Sequence, residues 1–521
     1  MKRTTLAIIL LLAVAPLFAQ TWDESWYNQP LNPAYASVNP TRLSYNAVRD
    51  YSVASAAYSI DRGDFHAIDG CSDDRLMRFS LDGLRQAGKF DLQGSFRYDN
   101  RRRHGQSWCS TLGLDADNPF FVCDSIPSDV TVEMFCLSAT ASYRFSDRLK
   151  AGLETGVTTG SRSDQEDPRP ATNTSIIPLT AGLMWQASEG LALGFAAKVR
   201  FYSSSVQFYN VNPLKNYRYF VMKGMGDFMR RSSSDESGYK RDYDGLTFGG
   251  AFQAYITPKR GSVRDFLELE VSYGTEKAVD GASTYRFLGG DFTKIEAGLS
   301  NKLQIRRGGN FHNVSLGASF AAGFGVWSEQ QRKLDPEHNN RIYYEVLSTN
   351  MIHSSMLIAA GAGYDFECWR DGRRDFYATV DADLQLKRVS QYVGAETPVQ
   401  QAMMVKAGAS AGKMFSIGKV LLATQLELRG RMPLATQFAS ACRYADPDDI
   451  SVVYSARKFA YETAAYAGAG LMLDASMPVG RTYPGIMIRA GYDKCLDQSQ
   501  LWPEFATSGL MGLELGAYLK F

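Results

Sequence analysis

Ser508-Gly-Leu-Met-Gly-Leu-Glu-Leu-Gly-Ala-Tyr-Leu-Lys-Phe521 ends the chain with a strict period of two. Counted back from the end, Phe521, Leu519, Ala517, Leu515, Leu513 and Met511 form one apolar set. Lys520, Tyr518, Gly516, Glu514 and Gly512 form the other. Successive side chains of a strand point to opposite faces, so the stretch is a strand with one apolar and one mixed face. The apolar face runs to Phe521 without a polar break. Such a strand fits either the edge of a soluble sheet or a sheet whose outer face meets lipid.

The same alternation recurs from residue 50 onward. Phe90, Leu92, Gly94, Phe96 and Tyr98 alternate with Asp91, Gln93, Ser95 and Arg97. Phe135, Leu137, Ala139, Ala141, Tyr143 and Phe145 alternate with Cys136, Ser138, Thr140, Ser142 and Arg144. A hairpin pairs Ile177–Trp185 with Leu191–Phe201 across a turn ending in Gly190, as tight hairpins prefer. Further strands are expected at Leu246–Ile256, Leu267–Tyr273, Ile295–Ile305, Phe376–Leu386, Val420–Leu428 and Met511–Phe521.

Strand length and connection length separate the two readings. Soluble strands average five or six residues, whereas a tilted membrane-crossing strand needs about nine to eleven. Connections after about residues 145, 187, 306, 367, 415 and 476 are short, and those at roughly 101–130, 209–243, 329–349 and 433–456 are long and polar. Short turns on one side and long loops on the other fit an up-and-down barrel in an outer membrane. No blade-length repeat points to a propeller. The expected fold is therefore all-β: a transmembrane antiparallel barrel of about eighteen strands, with sixteen or fourteen as alternatives. Its first strand falls near residues 51–61.

Charge supports a lumen. Arg97, Glu154, Lys198, Arg200, Glu268, Glu270, Lys294, Glu296, Asp381, Asp383, Glu427, Arg429 and Glu514 all fall on the polar face of their strands. At mid-bilayer a charge on the lipid face costs about 2–4 kcal/mol, most clearly for Arg and Lys. The segregation assigns these residues to an aqueous interior of mixed sign. In the last strand it assigns Phe521, Leu519, Leu515 and Leu513 to lipid.

Composition agrees. Lys plus Arg (56) nearly cancels Asp plus Glu (55), for a net charge of +1, so nucleic acid is not an expected partner. Mean hydropathy is −0.24, and the single long apolar run is N-terminal, which excludes a helical membrane protein. Glycine (46), Tyr (28) and Phe (29) are plentiful and His (5) is scarce. Residues 1–19 read as a signal peptide: Lys2 and Arg3 lead, Leu6 to Val14 is the apolar core, and Ala19 precedes the cut. An uncleaved anchor is the alternative. No Cys follows the cut, so no lipoprotein signal is expected. Residues 20–49 are rich in Asn, Pro and aromatics, and read either as a small plug or as a periplasmic lead-in packed on the rim. Residues 50–521 are the barrel.

Across nearly the whole mature chain this layout resembles bacterial outer-membrane β-barrel proteins, whose last strand ends in Phe or Trp and acts as an assembly signal. Asn32-Pro33-Ala34 resembles a step near the N-terminus of fatty-acid-transporter-like barrels. The Gln20 start and the strand style resemble uncharacterised barrel families of the Bacteroidota. The resemblance implies residence in the cell outer membrane, with lipid, lipopolysaccharide and the barrel-assembly machinery as partners. It carries no catalytic or ligand residue onto this chain.

Other chemistry is sparse. Seven cysteines occur. Cys109 and Cys123 share one predicted loop and are the best disulfide candidates, while Cys442 and Cys495 are a second pair that could meet. No C-x-x-C supports a zinc or redox site, and no metal or cofactor is expected. Of the five histidines, only His312 beside Asn313 invites a rim-enzyme reading, against a polar residue at the aqueous end of a strand. Asp446, Asp448 and Asp449 cluster, as do Asp235, Asp242 and Asp244, but neither group has a defined calcium spacing. Arg101-Arg102-Arg103 could meet lipopolysaccharide or stay solvated. Barrels of this size have interiors too wide for side chains to fill, so a non-enzymatic channel or transporter for a small solute, hydrophobic ones included, leads. The alternatives are a surface scaffold in a secretion or uptake complex, a rim enzyme, and a secreted soluble multi-sheet protein.

Overall fold

The computed structural model describes residues 31–46, 50–212, 214–232, 239–258, 262–281, 286–338, 341–370, 373–392, 394, 396–441, 450–497 and 501–521. The expected signal peptide, Cys442, Asp235, Asp446, Asp448 and Asp449 lie outside them.

Among the described residues the chain forms β1 (Tyr51–Gly63), β2 (Asp73–Ala87), β3 (Phe90–Gln106), β4 (Val122–Cys123), β5 (Ser128–Arg144), β6 (Leu149–Asp164) and β7 (Pro170–Ser188). There follow β8 (Leu191–Phe208), β9 (Arg218–Gly224), β10 (Asp227–Ser232), β11 (Lys240–Ile256), β12 (Val263–Asp280), β13 (Phe287–Arg307) and β14 (Asn310–Asp335). The last group is β15 (Arg341–Arg370), β16 (Arg373–Gln391), β17 (Val399–Ile417), β18 (Val420–Gln437), helix α1 (Ile450–Thr463), β19 (Tyr466–Ser476), β20 (Tyr483–Cys495) and β21 (Gly509–Lys520).

All strands except β4, β9 and β10 make one antiparallel sheet of eighteen, each paired to its neighbour in sequence. β21 pairs with β1 in register from Val53↔Lys520 to Gly63↔Leu510, so the sheet closes on itself. Closure leaves no unpaired sheet edge, which a lipid setting requires. The eighteen-strand expectation and its first strand are correct. The three remaining strands form a separate small sheet in the order β10-β9-β4.

The two faces sort as the alternation demands. Leu513 and Leu515 are 47% and 57% exposed on the outside, while Glu514 between them is 8% exposed. Phe195, Leu183, Leu269 and Val271 also face out. Near the turn end, Phe90 packs on Tyr143 with ring centroids 4.6 Å apart, and Tyr143 meets Phe145 edge-on at 4.7 Å. Such a rim of aromatics is the girdle expected at a membrane interface.

One loop expectation fails. Residues 329–349 continue β14 and β15 as a ribbon instead of forming a loop. The β13 pairing ends at Asp291↔Val326, and the β16 pairing ends at His353↔Gln391. Beyond those points β14 and β15 pair only with each other. Exposed and half-buried residues follow no strict alternation along it, so no apolar face marks it in the sequence.

Candidate functional site

The inward face carries the predicted charged residues, and the structure shows what each touches. Arg97 lies 3.4 Å from Asp99, which is also paired with Arg78 at 2.7 Å. Lys198 pairs with Glu270. Arg200 stacks its guanidinium over Tyr202 at 5.7 Å. Arg429 joins Glu427 and Asp493, at 3.2 and 2.9 Å. Glu514 is buried on the same face. Asp381 faces Gly363 and Gly408 across its two neighbouring strands, and Asp383 faces Gly361. Gly361 and Gly363, with Gly298, Ser300, Ser315, Gly317 and Ser319, leave room for a cavity of about 460 Å³. Glu268, Glu270, Asp381 and Asp383 line it.

Residues 31–46 fill part of the turn end of this lumen. Asn39 anchors them. Its Nδ2 donates to the carbonyls of Leu183 and Phe195 and to Gln253 Oε1, at 3.0, 3.2 and 3.0 Å. Its Oδ1 accepts from the Thr41 N–H and hydroxyl, capping a 3-10 turn over Pro40–Tyr45. Ser37 donates to Glu268 at 2.6 Å, and Arg42 pairs with Glu154 at 2.7 Å. The wall makes space for the segment: a Cβ on Gly182 would lie 2.2 Å from Asn39 Oδ1, and one on Gly152 would lie 2.8 Å from Pro40. Asn32, of the Asn-Pro-Ala step, donates to Asn46 at 2.8 Å and caps the Ala34 N–H.

The loop end is filled differently, by an apolar core inside the mouth. Ile176, Tyr202, Val206, Tyr243, Ala278, Phe292 and Trp327 point inward from the wall and pack on Phe120, Val122, Tyr219 and Val221 of the small sheet and its approach. A second cluster joins Trp108, Cys123, Phe220 and Met222 to Tyr454 of α1. Polar ties lock these pieces to the wall. Arg241, fully buried, donates to Asp280 at 2.8 Å and to the Phe120 carbonyl at 3.3 Å. Asn118 donates to Glu276 at 2.9 Å. Lys294 meets Asp115, Asp117 and Glu296 at 3.1–3.2 Å, and Lys387 meets Glu462 of α1 at 2.8 Å.

Electrostatics inside the mouth follow from burial and partners. Burial alone raises the carboxyls of Asp117 and Glu462, but neighbouring ammonium groups, Lys387 foremost, bring both below their ordinary values. At Asp124 burial outweighs the lowering by the Ile126 N–H and by the Arg162 charge, and pushes the carboxyl up to about 6.

Several sequence expectations are revised. Cys109 and Cys123 are both free thiols here. Cys123 is sealed in the small sheet beside Phe220, and the Cys109 thiol donates to the Thr111 carbonyl. Arg101 and Arg103 turn inward onto Asp74, at 2.6 and 3.3 Å, leaving Arg102 as the exposed member of the triplet. His312 sits beside the rings of Tyr364 and Phe366, with Nδ1 2.8 Å from the Tyr364 hydroxyl. Asp242 pairs with Lys240. The Asn39 seat, the Arg241–Asp280 pair and the core inside the mouth went unread, because each joins residues from segments far apart in sequence.

The family described as "Family of unknown function (DUF6850)" matches residues 40–519. The chain belongs to DUF6850. Curated proteins give no match. Solved structures similar to this DUF6850 chain include the ferric preacinetobactin receptor BauA from Acinetobacter baumannii, at 10% identity and a TM-score of 0.38, covering 91% of this chain and 80% of that one. The copper transporter OprC follows at 8% identity and a TM-score of 0.41, covering 91% and 81%. A Pseudomonas aeruginosa FadL homologue follows at 10% identity and a TM-score of 0.34, covering 94% of each.

Proposed function

We propose that this DUF6850 chain is an outer-membrane passage for a small polar solute, held shut in the state described. One observation supports this above the others: a charged, cavity-bearing lumen lies beneath an outer mouth that the chain's own loops fill with an apolar core. A permanently open pore has no use for that core. A wall without passage has no use for a charged interior, since charges inside a filled barrel are costly to bury. The lining of Asp, Glu, Arg and Lys favours polar over hydrophobic solutes. Lipid, lipopolysaccharide and the assembly machinery are its partners in this reading. Residues 31–46 serve as a second, inner obstruction.

The test uses purified protein in proteoliposomes with a set of small neutral, cationic and anionic solutes. Uptake of at least one, above that of empty vesicles, supports the reading. Impermeability to all of them, including when the outer core is loosened by substitution, removes it.

A second reading has its own observation. The ribbon formed by residues 329–335 and 341–349 extends beyond the pairings of β13 and β16, with Leu334, Tyr343, Val346 and Leu347 exposed. A scaffold role would depend on it. Deleting 331–346 leaves the barrel pairings intact, and loss of a co-purifying partner on that deletion would favour the scaffold.

A further inference from the structure

The hairpin of β9 and β10 lies inside the mouth as a strap. It lies between β8 and β11 in sequence, and its tip reaches β15 and β16, five and six strands from β8 round the wall. Its backbone ties outside itself are few: two pairings to β4, the Met222 N–H to the Phe121 carbonyl, and the Met225 carbonyl to Ala441 N–H. Lys223 stacks over Trp327 and Arg231 over Phe287 on the wall, and at β16 a side-chain hydrogen bond holds the tip. Gln391 Nε2 donates to the Lys223 carbonyl at 3.0 Å. The Gln391 carbonyl oxygen is 3.0 Å from His353 Nδ1, so that nitrogen carries the proton. Both side chains are buried, at 0% and 5% exposure.

Gly224 is the matching part on the strap. Its φ of +112° is a conformation that side-chain-bearing residues rarely adopt. A Cβ there would also lie 2.6 Å from both His353 Nδ1 and Gln391 Oε1. The tip turn continues through Met225 (φ 48°) and Gly226 (φ 87°). The tip is thus shaped to enter a slot that admits bare backbone. We propose that the Arg218–Ser232 hairpin is the gate of the outer mouth, and that the seat of Gly224 between His353 and Gln391 is its latch. Unseating the tip lets β9 lift off β4, and this uncovers Cys123 beneath it. The proposal rests on the reading of the barrel as a gated passage.

Cys123 is a built-in reporter, because it is fully buried against β9. The experiment uses the full chain in detergent and in bilayers. Gly224→Val and, separately, Gln391→Ala are labelled with a membrane-impermeant maleimide, with Cys123 modification read by peptide mass spectrometry. Heat-modifiable gel mobility reports whether the barrel is folded. Labelling at least tenfold faster in either folded variant supports the latch. So does restored protection in the double variant Gly224→Cys with Gln391→Cys after oxidation. Unchanged labelling in both folded single variants overturns it, as does conductance that rises while Cys123 stays protected. Faster labelling without solute flux upholds the latch and counts against the passage reading alone.

Discussion

Arg241 and Asp280 face each other directly across β11 and β12, and both are buried inside the outer mouth. The guanidinium also holds the Phe120 carbonyl, so one side chain ties the wall to the core that fills the mouth. Leaving one charge of a buried pair without its partner costs about 3–5 kcal/mol. Arg241→Ala is expected to lower the temperature of barrel unfolding, read by heat-modifiable mobility. A double Arg241→Met, Asp280→Leu variant should recover part of the loss. Equal damage in both variants would show that packing, and not charge, sets the cost.

Asp124 predicts a pH dependence. Its carboxyl is raised from 3.8 to about 6 by burial, so the folded mouth binds the proton more tightly than the unfolded chain does. Its contribution is complete below about pH 4 and is lost as pH rises through about 6, on the order of 3 kcal/mol by linkage. Proteolysis of residues 107–127 should therefore be slower at pH 5 than at pH 7.5. Asp124→Asn keeps an acceptor for the Ile126 N–H and should flatten the difference. A wild-type profile as flat as that of the variant refutes the assignment.

The N-terminal seat can be tested without touching the segment itself. Gly182→Val places atoms where Asn39 and Pro40 now sit. Residues 31–46 should then become protease-sensitive while the barrel stays folded. Asn39→Ala leaves the carbonyls of Leu183 and Phe195 without this donor and should act in the same direction, by about 1–3 kcal/mol. Protection of 31–46 in both variants would mean that the seat does not hold the segment.

The last strand separates its faces. Leu515→Arg puts a cation on the outer belt and is expected to cost about 2–4 kcal/mol if it sits at mid-bilayer. Glu514→Gln, one residue earlier and on the other face, should leave the folded yield nearly unchanged. Charging Phe521 tests its proposed role as an assembly signal: outer-membrane yield should fall while folding of the isolated protein in detergent persists. Normal yield of Phe521→Asp in cells removes that role.

The wall was legible because lipid and water impose opposite demands on alternate residues. Phe90 to Tyr98 or Leu513 to Phe521 state their faces residue by residue. The ribbon at 329–349 has no such contrast between its faces, so Glu329, Gln330, Gln331, Arg332 and Lys333 read as loop. The contents of the mouth were illegible for another reason. Phe120, Val122, Tyr219 and Val221 are short apolar islands in polar segments, and only the barrel brings them together. The pairing of the charges, such as Lys198 with Glu270 or Arg42 with Glu154, crosses strands or segments that alternation does not link.

The pairing of β1 with β21 also has a consequence in time. It joins residues separated by most of the chain, so the cylinder cannot exist until the final strand has been made. The polar contacts of residues 31–46 run to β6, β7, β8, β11 and β12, all complete by residue 280, while Leu43 also packs against Met472, Met487 and Tyr518 of the last three strands. The strands up to β12 can therefore curl around the polar side of the segment as around a mandrel, and the last three strands close over Leu43 when they arrive.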